Sequence, residues 1–530
     1  KAAMEEVEHM FNGEESSSEE DDSETDDDDV RYPLPAHRMP VHDDENIGLQ
    51  PKQPQSDRRP LGATPQRVTS GSDEADEARA PFQPLTPITE RTERTDSSRW
   101  TLDVPSEDAM PYGGLRAPPT SLAIPNPCSP ADPDIVSTLL SNLARPVTQL
   151  PGYVDEAHES QYLSTLRARL DARSRRSSVG NGCDVQVADM QLSVYSRLGE
   201  GGFGSVFLAQ DMNESVPLAG QVTASYADVD QDDIDELERR QMLALKIESP
   251  PNPWEFYILD QLRHRLPDQL QASIVGARRF VSCANESLLL LEYASMGTLL
   301  ELVNHAAEAG VSSVLGQGGG VEEVLAMFFV NELCRIVQGM HEAGLIHGDL
   351  KIDNCMIRAD DVDEWTSTYA ADGSGGWAAK GVTLIDFGRA IDMCCYPPDQ
   401  RFLADWQPGA QDCVEMREMR PWTYQADYYG LASIAHCLLF GKYMDTTCYV
   451  NDDGLKTYKI QQSLRRYWQT DLWTRFFHLM LNSTHYPAAG PPLTELRAEM
   501  DAWLTAHSFH AGKNLKGLLK KVEIWALRRV

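Results

Sequence analysis

Ile346-His347-Gly348-Asp349-Leu350-Lys351-Ile352-Asp353-Asn354 is the stretch on which the reading of this chain turns. Within a few residues it sets a carboxylate, an ammonium and a side-chain amide at fixed offsets: Asp349, then Lys351, then Asn354. Such a carboxylate can orient a hydroxyl and accept its proton. The lysine can neutralise charge shared among oxygens, and the amide oxygen can hold a hard cation. Downstream, Leu384-Ile385-Asp386-Phe387-Gly388 reads as an apolar strand ending in a second acid, Asp386, which is also suited to a hard cation. Either stretch alone could be a turn with a solvated acid.

Working outward, Gly199-Glu200-Gly201-Gly202-Phe203-Gly204-Ser205-Val206 fits G-x-G-x-x-G-x-V, in which Gly199, Gly201 and Gly204 let the backbone approach phosphates. The same spacing can open a dinucleotide-binding helix, but the residues that follow alternate as a strand does. Lys246, in Ala244-Leu245-Lys246, ends a third apolar strand, where a lysine can neutralise inner phosphates. Nine residues on, Glu255 lies in Asn252-Pro253-Trp254-Glu255. It can pair with Lys246, or it can close a helix capping box begun by Asn252; both readings stay open.

Four such motifs in this order resemble a protein kinase, with its glycine-rich loop, strand lysine, H-R-D-L-x-x-x-N catalytic loop and Asp-Phe-Gly. That pattern makes Asp349 the proton acceptor, Lys351 the neutraliser of the transferring phosphoryl group, and Asn354 and Asp386 the magnesium ligands. Leu198, Val206 and Ala244 would surround the adenine, and the backbone of Glu292 and Ala294 would bond it after the apolar run 288–292. ATP and Mg2+ are therefore the expected co-substrate and ion. Asp427, opening a helix apolar on nearly every face, would tie that helix to the catalytic loop, although a carboxylate at a helix N-terminus is also favoured by the dipole alone.

The 530 residues carry a formal charge of −34, from 81 acidic and 47 basic side chains, which argues against binding a nucleic-acid backbone and accommodates a basic partner. In residues 14–29, 11 of 16 are acidic, a run that repels itself and stays solvated. Residues 1–120, rich in Pro, Ser, Asp and Glu, read as a disordered leader with Thr-Pro pairs at Thr64 and Thr86. Ten cysteines show no zinc-type spacing, and scattered thiols fit the cytosol or nucleus. No apolar run is long enough to span a bilayer. The chain opens on Lys1 rather than Met, so it is read as part of something longer.

After Asp132 and Pro133, Ile135, Leu139, Leu140 and Leu143 share one helical face, and so short an amphipathic helix must dock, preferably on the domain that follows. Residues 167–182 read as a polar Arg/Ser linker. Strands are expected around 191–198, 205–208, 242–247 and 288–292, and helices at 324–341 and 428–440. Residues 228–238, 310–320 and 359–380 read as inserted loops. The fold class is α+β: a two-lobed kinase-like fold with a small β-rich N-lobe (about 186–292) and a larger helical C-lobe (about 295–530), preceded by the leader and by a docked helical extension and linker (121–185).

Three stretches resemble the Bub-type mitotic spindle-checkpoint kinases more narrowly. They are Pro253-Trp254-Glu255-Phe256-Tyr257; Cys413-Val414-Glu415-Met416 followed by Arg420-Pro421-Trp422-Thr423-Tyr424-Gln425-Ala426-Asp427-Tyr428-Tyr429-Gly430; and the extension 126–143. The resemblance implies a nuclear serine/threonine kinase at kinetochores and centromeres. It further implies phosphorylation of a nucleosomal core histone of the 2A type, with kinetochore scaffolds and checkpoint proteins as partners and neither membrane nor direct nucleic-acid contact. Two departures from the general kinase pattern stand out. Gly348 replaces the usual Arg, removing the cation that would bind an activation-loop phosphate, and no A-P-E precedes Asp427. Activation by the docked extension is the expectation that follows. The rival readings are a pseudokinase scaffold, a histone-binding acidic leader, and phosphotransfer to a small molecule.

Overall fold

The computed structural model describes residues 124–174, 182–201, 204–213, 242–313, 319–486, 490–508 and 514–529. The acidic run 14–29, both Thr-Pro pairs and the insert 228–238 lie outside them.

The first helix, α1 (Pro133–Ser141), starts as its sequence dictates: Asp132 accepts the Asp134 N–H at 2.9 Å and proline opens the first turn. Leu139 is buried, and Ile135, Leu140 and Leu143 are partly so, packed into the large core. The extension docks, as expected, and its polar anchor lies ahead of the helix. Cys128 pairs in parallel with Phe402, donating to Arg401 O (3.2 Å) and accepting from Leu403 N (2.9 Å), while the Asn126 side chain bonds Arg401 N (2.9 Å) and Asp399 O (3.1 Å). Phe402 in turn exchanges both backbone bonds with Trp422 at 3.0 Å.

Next come β1 (Tyr153–Glu156), α2 (Tyr162–Ser174), β2 (Cys183–Val187), β3 (Met190–Glu200), β4 (Gly204–Asp211), β5 (Met242–Glu248), α3 (Trp254–Arg265), α4 (Asp268–Gln271), β6 (Ala277–Cys283) and β7 (Ser287–Glu292). The strands form one sheet in the order β1-β6-β7-β5-β4-β3-β2, antiparallel throughout except that β1 runs parallel to β6. Alternation decides what each face does. Leu243, Leu245 and Ile247 of β5 turn into a core shared with Phe207, Leu288, Leu290 and Leu166 of α2, which leaves Ala244, Lys246 and Glu248 on the opposite face. β7 is buried on both faces, hence its unbroken apolar run: Leu289 and Leu291 join the other core beside Phe256 of α3.

The expected polar linker at 167–182 is corrected here. Its first part is the second half of α2, because Tyr162, Leu163, Leu166 and Leu170 recur at helical spacing and seal the outer face of the sheet. The arginines occupy the remaining faces of the helix and hide that stripe from a reading by composition.

The larger lobe contains α5 (Leu299–Asn304), α6 (Glu323–Glu342), β8 (Leu345–Ile346), β9 (Cys355–Ala359), β10 (Lys380–Leu384), β11 (Ile391–Asp392), α7 (Val414–Arg417), α8 (Gln425–Phe440), β12 (Thr446–Val450), β13 (Lys456–Ile460), α9 (Thr470–Leu481), α10 (Leu493–His507) and α11 (Leu515–Leu527). α6 and α8 pack on each other and are buried along most of their length. The stretch 359–380 is not merely a polar surface loop. Its Tyr369 and Trp377 are buried edge-on against Phe328 of α6. No helix among the described residues is long and apolar enough to cross a membrane.

Candidate active site

Two ion clusters form at the seam between the sheet and the helical lobe. The first centres on Lys246, paired across the sheet with Val206 on one side and Leu289 on the other. Its Nζ lies 2.7 Å from Glu255 Oε2, 2.8 Å from Asp386 Oδ1 and 3.7 Å from Glu248 Oε1. The other Glu255 oxygen accepts the Phe387 N–H at 3.0 Å. Glu255 thus joins α3, the strand lysine and the Asp-Phe-Gly backbone. The capping-box alternative is set aside, since the Asn252 side chain takes the Trp254 N–H (3.1 Å) and the Glu255 carboxylate is spent on Lys246 and Phe387.

The electrostatics follow from this packing. Burial opposes the charge on Lys246, yet Asp386, Glu255 and Glu248 together hold its pKa well above the ordinary lysine value. Lys246 holds Asp386 well below the usual carboxylate range against the cost of burial. Burial pushes Glu248 up to about 7, helped by the Glu255 and Asp386 charges and resisted by Lys246.

The second cluster is the catalytic-loop triplet. Lys351 Nζ lies 2.8 Å from Asp349 Oδ2, and Asn354 Nδ2 donates to Asp349 O at 2.9 Å, so the oxygen is what the Asn354 amide has left to offer. The two clusters are joined: Asn354 O accepts the Ile385 N–H at 3.1 Å, one residue before Asp386, and the Lys351 charge also reaches Asp386. Asp386 adopts a left-handed backbone, φ +64°. The loop is fixed from below by Asp427, fully buried, whose Oδ2 accepts from His347 N (2.8 Å) and lies 2.9 Å from His341 Nε2, and whose Oδ1 accepts from Gly348 N (2.9 Å). Burial raises the Asp427 pKa, but the hydrogen bond and charge of His341 together with the charge and N–H of His347 outweigh it, so the carboxylate stays below its ordinary value.

The glycine hairpin is closed by Gly201 N–H to Gly204 O at 3.0 Å, and Gly199 pairs with Val206. A Cβ at Gly204 would lie 2.1 Å from Ile247 O, so the strand needs glycine there for close packing on β5. Leu198 is 44 % exposed, and Val206 and Ala244 are partly buried on the Lys246 strand and its neighbour. Glu292 closes β7 with its N–H on Gly276 O (2.9 Å), and Ala294 lies just before the turn at 295–296. Gly202 and Phe203 lie outside the described residues.

Several contributors were missed in the sequence. Asp392, in β11, is fully buried and accepts a bidentate pair from Arg265 of α3 (2.7 and 2.8 Å), the Tyr257 hydroxyl (2.7 Å) and the Cys394 N–H (3.0 Å). No linear signal joins groups 127 residues apart. Gly348, noted as a lost arginine, has a local reason: its φ is +77°, and a Cβ would lie 2.4 Å from Arg389 O. In place of an A-P-E tripeptide, Glu415 of α7 is buried 3.7 Å from Arg420. No group of three or more His, Cys, Asp or Glu side chains that could hold a metal occurs among the described residues. The donor set of Asp386 and Asn354 is hard oxygen, which suits magnesium shared with phosphates and not a protein-only cage.

A strand lysine held by a helix glutamate, an Asp-Phe-Gly acid and an Asp-Lys-Asn loop, set between a sheet lobe and a helical lobe, define a protein kinase. The protein kinase domain family matches residues 192–483. The chain is 38 % identical over 381 residues to the spindle assembly checkpoint serine/threonine-protein kinase bub1 of Schizosaccharomyces pombe, covering 69 % of this chain and 35 % of that protein. It is 33 % identical over 381 residues to BUB1 of Saccharomyces cerevisiae, covering 72 % of this chain and 34 % of that protein. The crystal structure of the BubR1 kinase domain shares the fold, with a TM-score of 0.55 at 24 % identity, over 75 % of this chain and 99 % of that one. The chain belongs to the Bub1 family of serine/threonine protein kinases. It spans about a third of the length of these two fungal relatives.

Proposed function

We propose that this chain is a catalytically active, ATP- and magnesium-dependent serine/threonine kinase of the spindle checkpoint. The observation that carries the reading is the joined pair of ion clusters, with Glu255 bonded both to Lys246 and to the Phe387 amide. Lys246, oriented by Glu255, grips the inner phosphates of ATP. Gly199, Gly201 and Gly204 let backbone amides lie over the phosphates, and Leu198, Val206 and Ala244 enclose the adenine, which bonds the Glu292 carbonyl and the Ala294 backbone. Asn354 and Asp386 hold magnesium, which, when bound, neutralises charge on the phosphate oxygens. Asp349 orients the acceptor hydroxyl and takes its proton, and Lys351, already at its carboxylate, offsets charge on the transferring phosphoryl group.

The acceptor we infer is the tail of a nucleosomal core histone of the 2A type, whose basic charge complements a chain of net charge −34. We assign this work to kinetochores in the nucleus, with kinetochore scaffolds and checkpoint proteins as partners, a reading supported by the spindle-checkpoint names of the relatives. The extension, paired with residues 399–403, takes over the ordering of the activation segment that a phosphate performs elsewhere; a chain lacking residues 126–143 loses activity if so.

The deciding experiment is transfer of radiolabelled phosphate from magnesium ATP to nucleosomes by the purified chain and by Asp349→Asn, followed by phosphosite mapping. A wild-type signal at least about a hundredfold above the variant supports the enzyme. Equal signals leave the pseudokinase scaffold as the reading.

A further inference from the structure

Arg167, on α2 ahead of the matched kinase region, lies against the root of the glycine hairpin. Its Nε and Nη2 donate to Ser205 Oγ at 3.0 and 2.9 Å, Nη2 reaches Gly204 O at 3.3 Å, and the guanidinium pairs with Glu200 Oε1 at 3.1 Å. Glu200 and Ser205 are cross-strand partners, the last pair before the hairpin turns. One cation therefore bridges both strands where the loop leaves the sheet. Glu200 is also held by Arg197 at 2.7 Å.

The helix that presents Arg167 is itself firmly seated. Leu166 is fully buried in the outer core of the sheet. The Glu286 carboxylate, from the β6–β7 turn, takes the first free amides of α2, Tyr162 N–H (2.6 Å) and Leu163 N–H (3.2 Å), together with the Ser160 hydroxyl (2.5 Å). Asn285 exchanges two bonds of 2.8 Å with the Ser160 backbone. A rigid cap thus sets the position of a charged group on an otherwise two-stranded, glycine-weakened loop.

We infer that Arg167 is a positioning residue for the nucleotide. By tying Glu200 to Ser205 it keeps the hairpin in the register that presents its amides to the phosphates, so nucleotide affinity is coupled to the docking of α2. This rests on the reading of residues 199–204 as the phosphate-binding loop. Because Arg167 and Glu200 are 34 % and 46 % exposed, the ion pair is screened and the effect is moderate.

The test is fluorescence titration of the whole chain with trinitrophenyl-ATP and magnesium. Wild type would be compared with Arg167→Ala, Arg167→Lys, Glu200→Gln and Arg169→Ala, with thermal unfolding of each. Arg169 reaches Asp184 O (3.3 Å), away from the hairpin. Arg167→Ala should raise Kd about five- to tenfold, with Arg167→Lys intermediate and Arg169→Ala unchanged. Glu200→Gln, which removes a single partner, should raise Kd about twofold, so the prediction survives if Arg167→Ala folds poorly. Equal affinities across the set with saturable wild-type binding overturn the role of Arg167 alone. Absence of saturable wild-type binding overturns the nucleotide-site reading itself.

Discussion

Asp386 and Asp392 lie six positions apart on the segment that follows β10, and each meets a cation from the sheet lobe, yet they are built for opposite purposes. Asp386 gives one oxygen to Lys246, sits in a left-handed backbone and keeps a third of its side chain exposed. Asp392 is fully buried, and its two oxygens accept five bonds, from Arg265 twice, the Tyr257 hydroxyl, the Cys394 N–H and the Cys395 thiol. An acid proposed to receive a metal cannot be saturated by protein donors, whereas an acid that must hold α3 to the activation segment has to be.

Substitution separates the two. Asp386→Asn should cut phosphate transfer about a thousandfold while the chain still unfolds cooperatively, because the anionic charge proposed to hold magnesium is lost and Lys246 keeps Glu255. Near-normal transfer by this variant would break the contrast. Asp392→Asn should cost about 3 to 5 kcal/mol in urea unfolding, since it strands the Arg265 guanidinium against a buried neutral partner. A stability equal to wild type would show that the pair merely fills space.

Gly348→Ala sharpens the comparison from the other side of the loop. With φ +77° and Arg389 O in the way, the methyl should cost about 2 kcal/mol, read from the same denaturant curves. Restoring a side chain at this position therefore damages the loop before any new interaction can form.

The smallest effect concerns Glu248, the third carboxylate around Lys246. Its folded pKa, about 7, lies above its ordinary 4.5, so the stability linked to its proton is full below 4.5 and is lost as pH rises through 7. Glu248→Gln should therefore gain about 1 to 2 kcal/mol on wild type between about pH 5 and about pH 8 without nucleotide. A pH-independent difference would mean that Lys246 already compensates the charge.

Legibility tracked how locally a signal is encoded. The quoted loop, the Asp-Phe-Gly strand, the glycine hairpin and Lys246 carry their chemistry within a few residues, and the structure joins the loop, the Asp-Phe-Gly acid and Lys246 in two linked clusters. The cap of α1 was equally plain, because Asp132 and Pro133 act within one turn. By contrast, α2 was hidden by its arginines, although Leu163, Leu166 and Leu170 stood at helical spacing beneath them. The buried aromatics of 359–380 were hidden by polar neighbours in the same way.

By itself, then, the sequence determined the two-lobed class, the candidate catalytic groups and the start of the docked helix, since each depends on residues close together along the chain. Tertiary structure alone decided that Glu255 serves Lys246 and Phe387 and not a helix cap, that Arg265 meets Asp392, and that Arg167 bridges the hairpin. Those choices depend on which distant side chains share a desolvated space, and burial there makes an unpartnered charge too costly to leave unmatched.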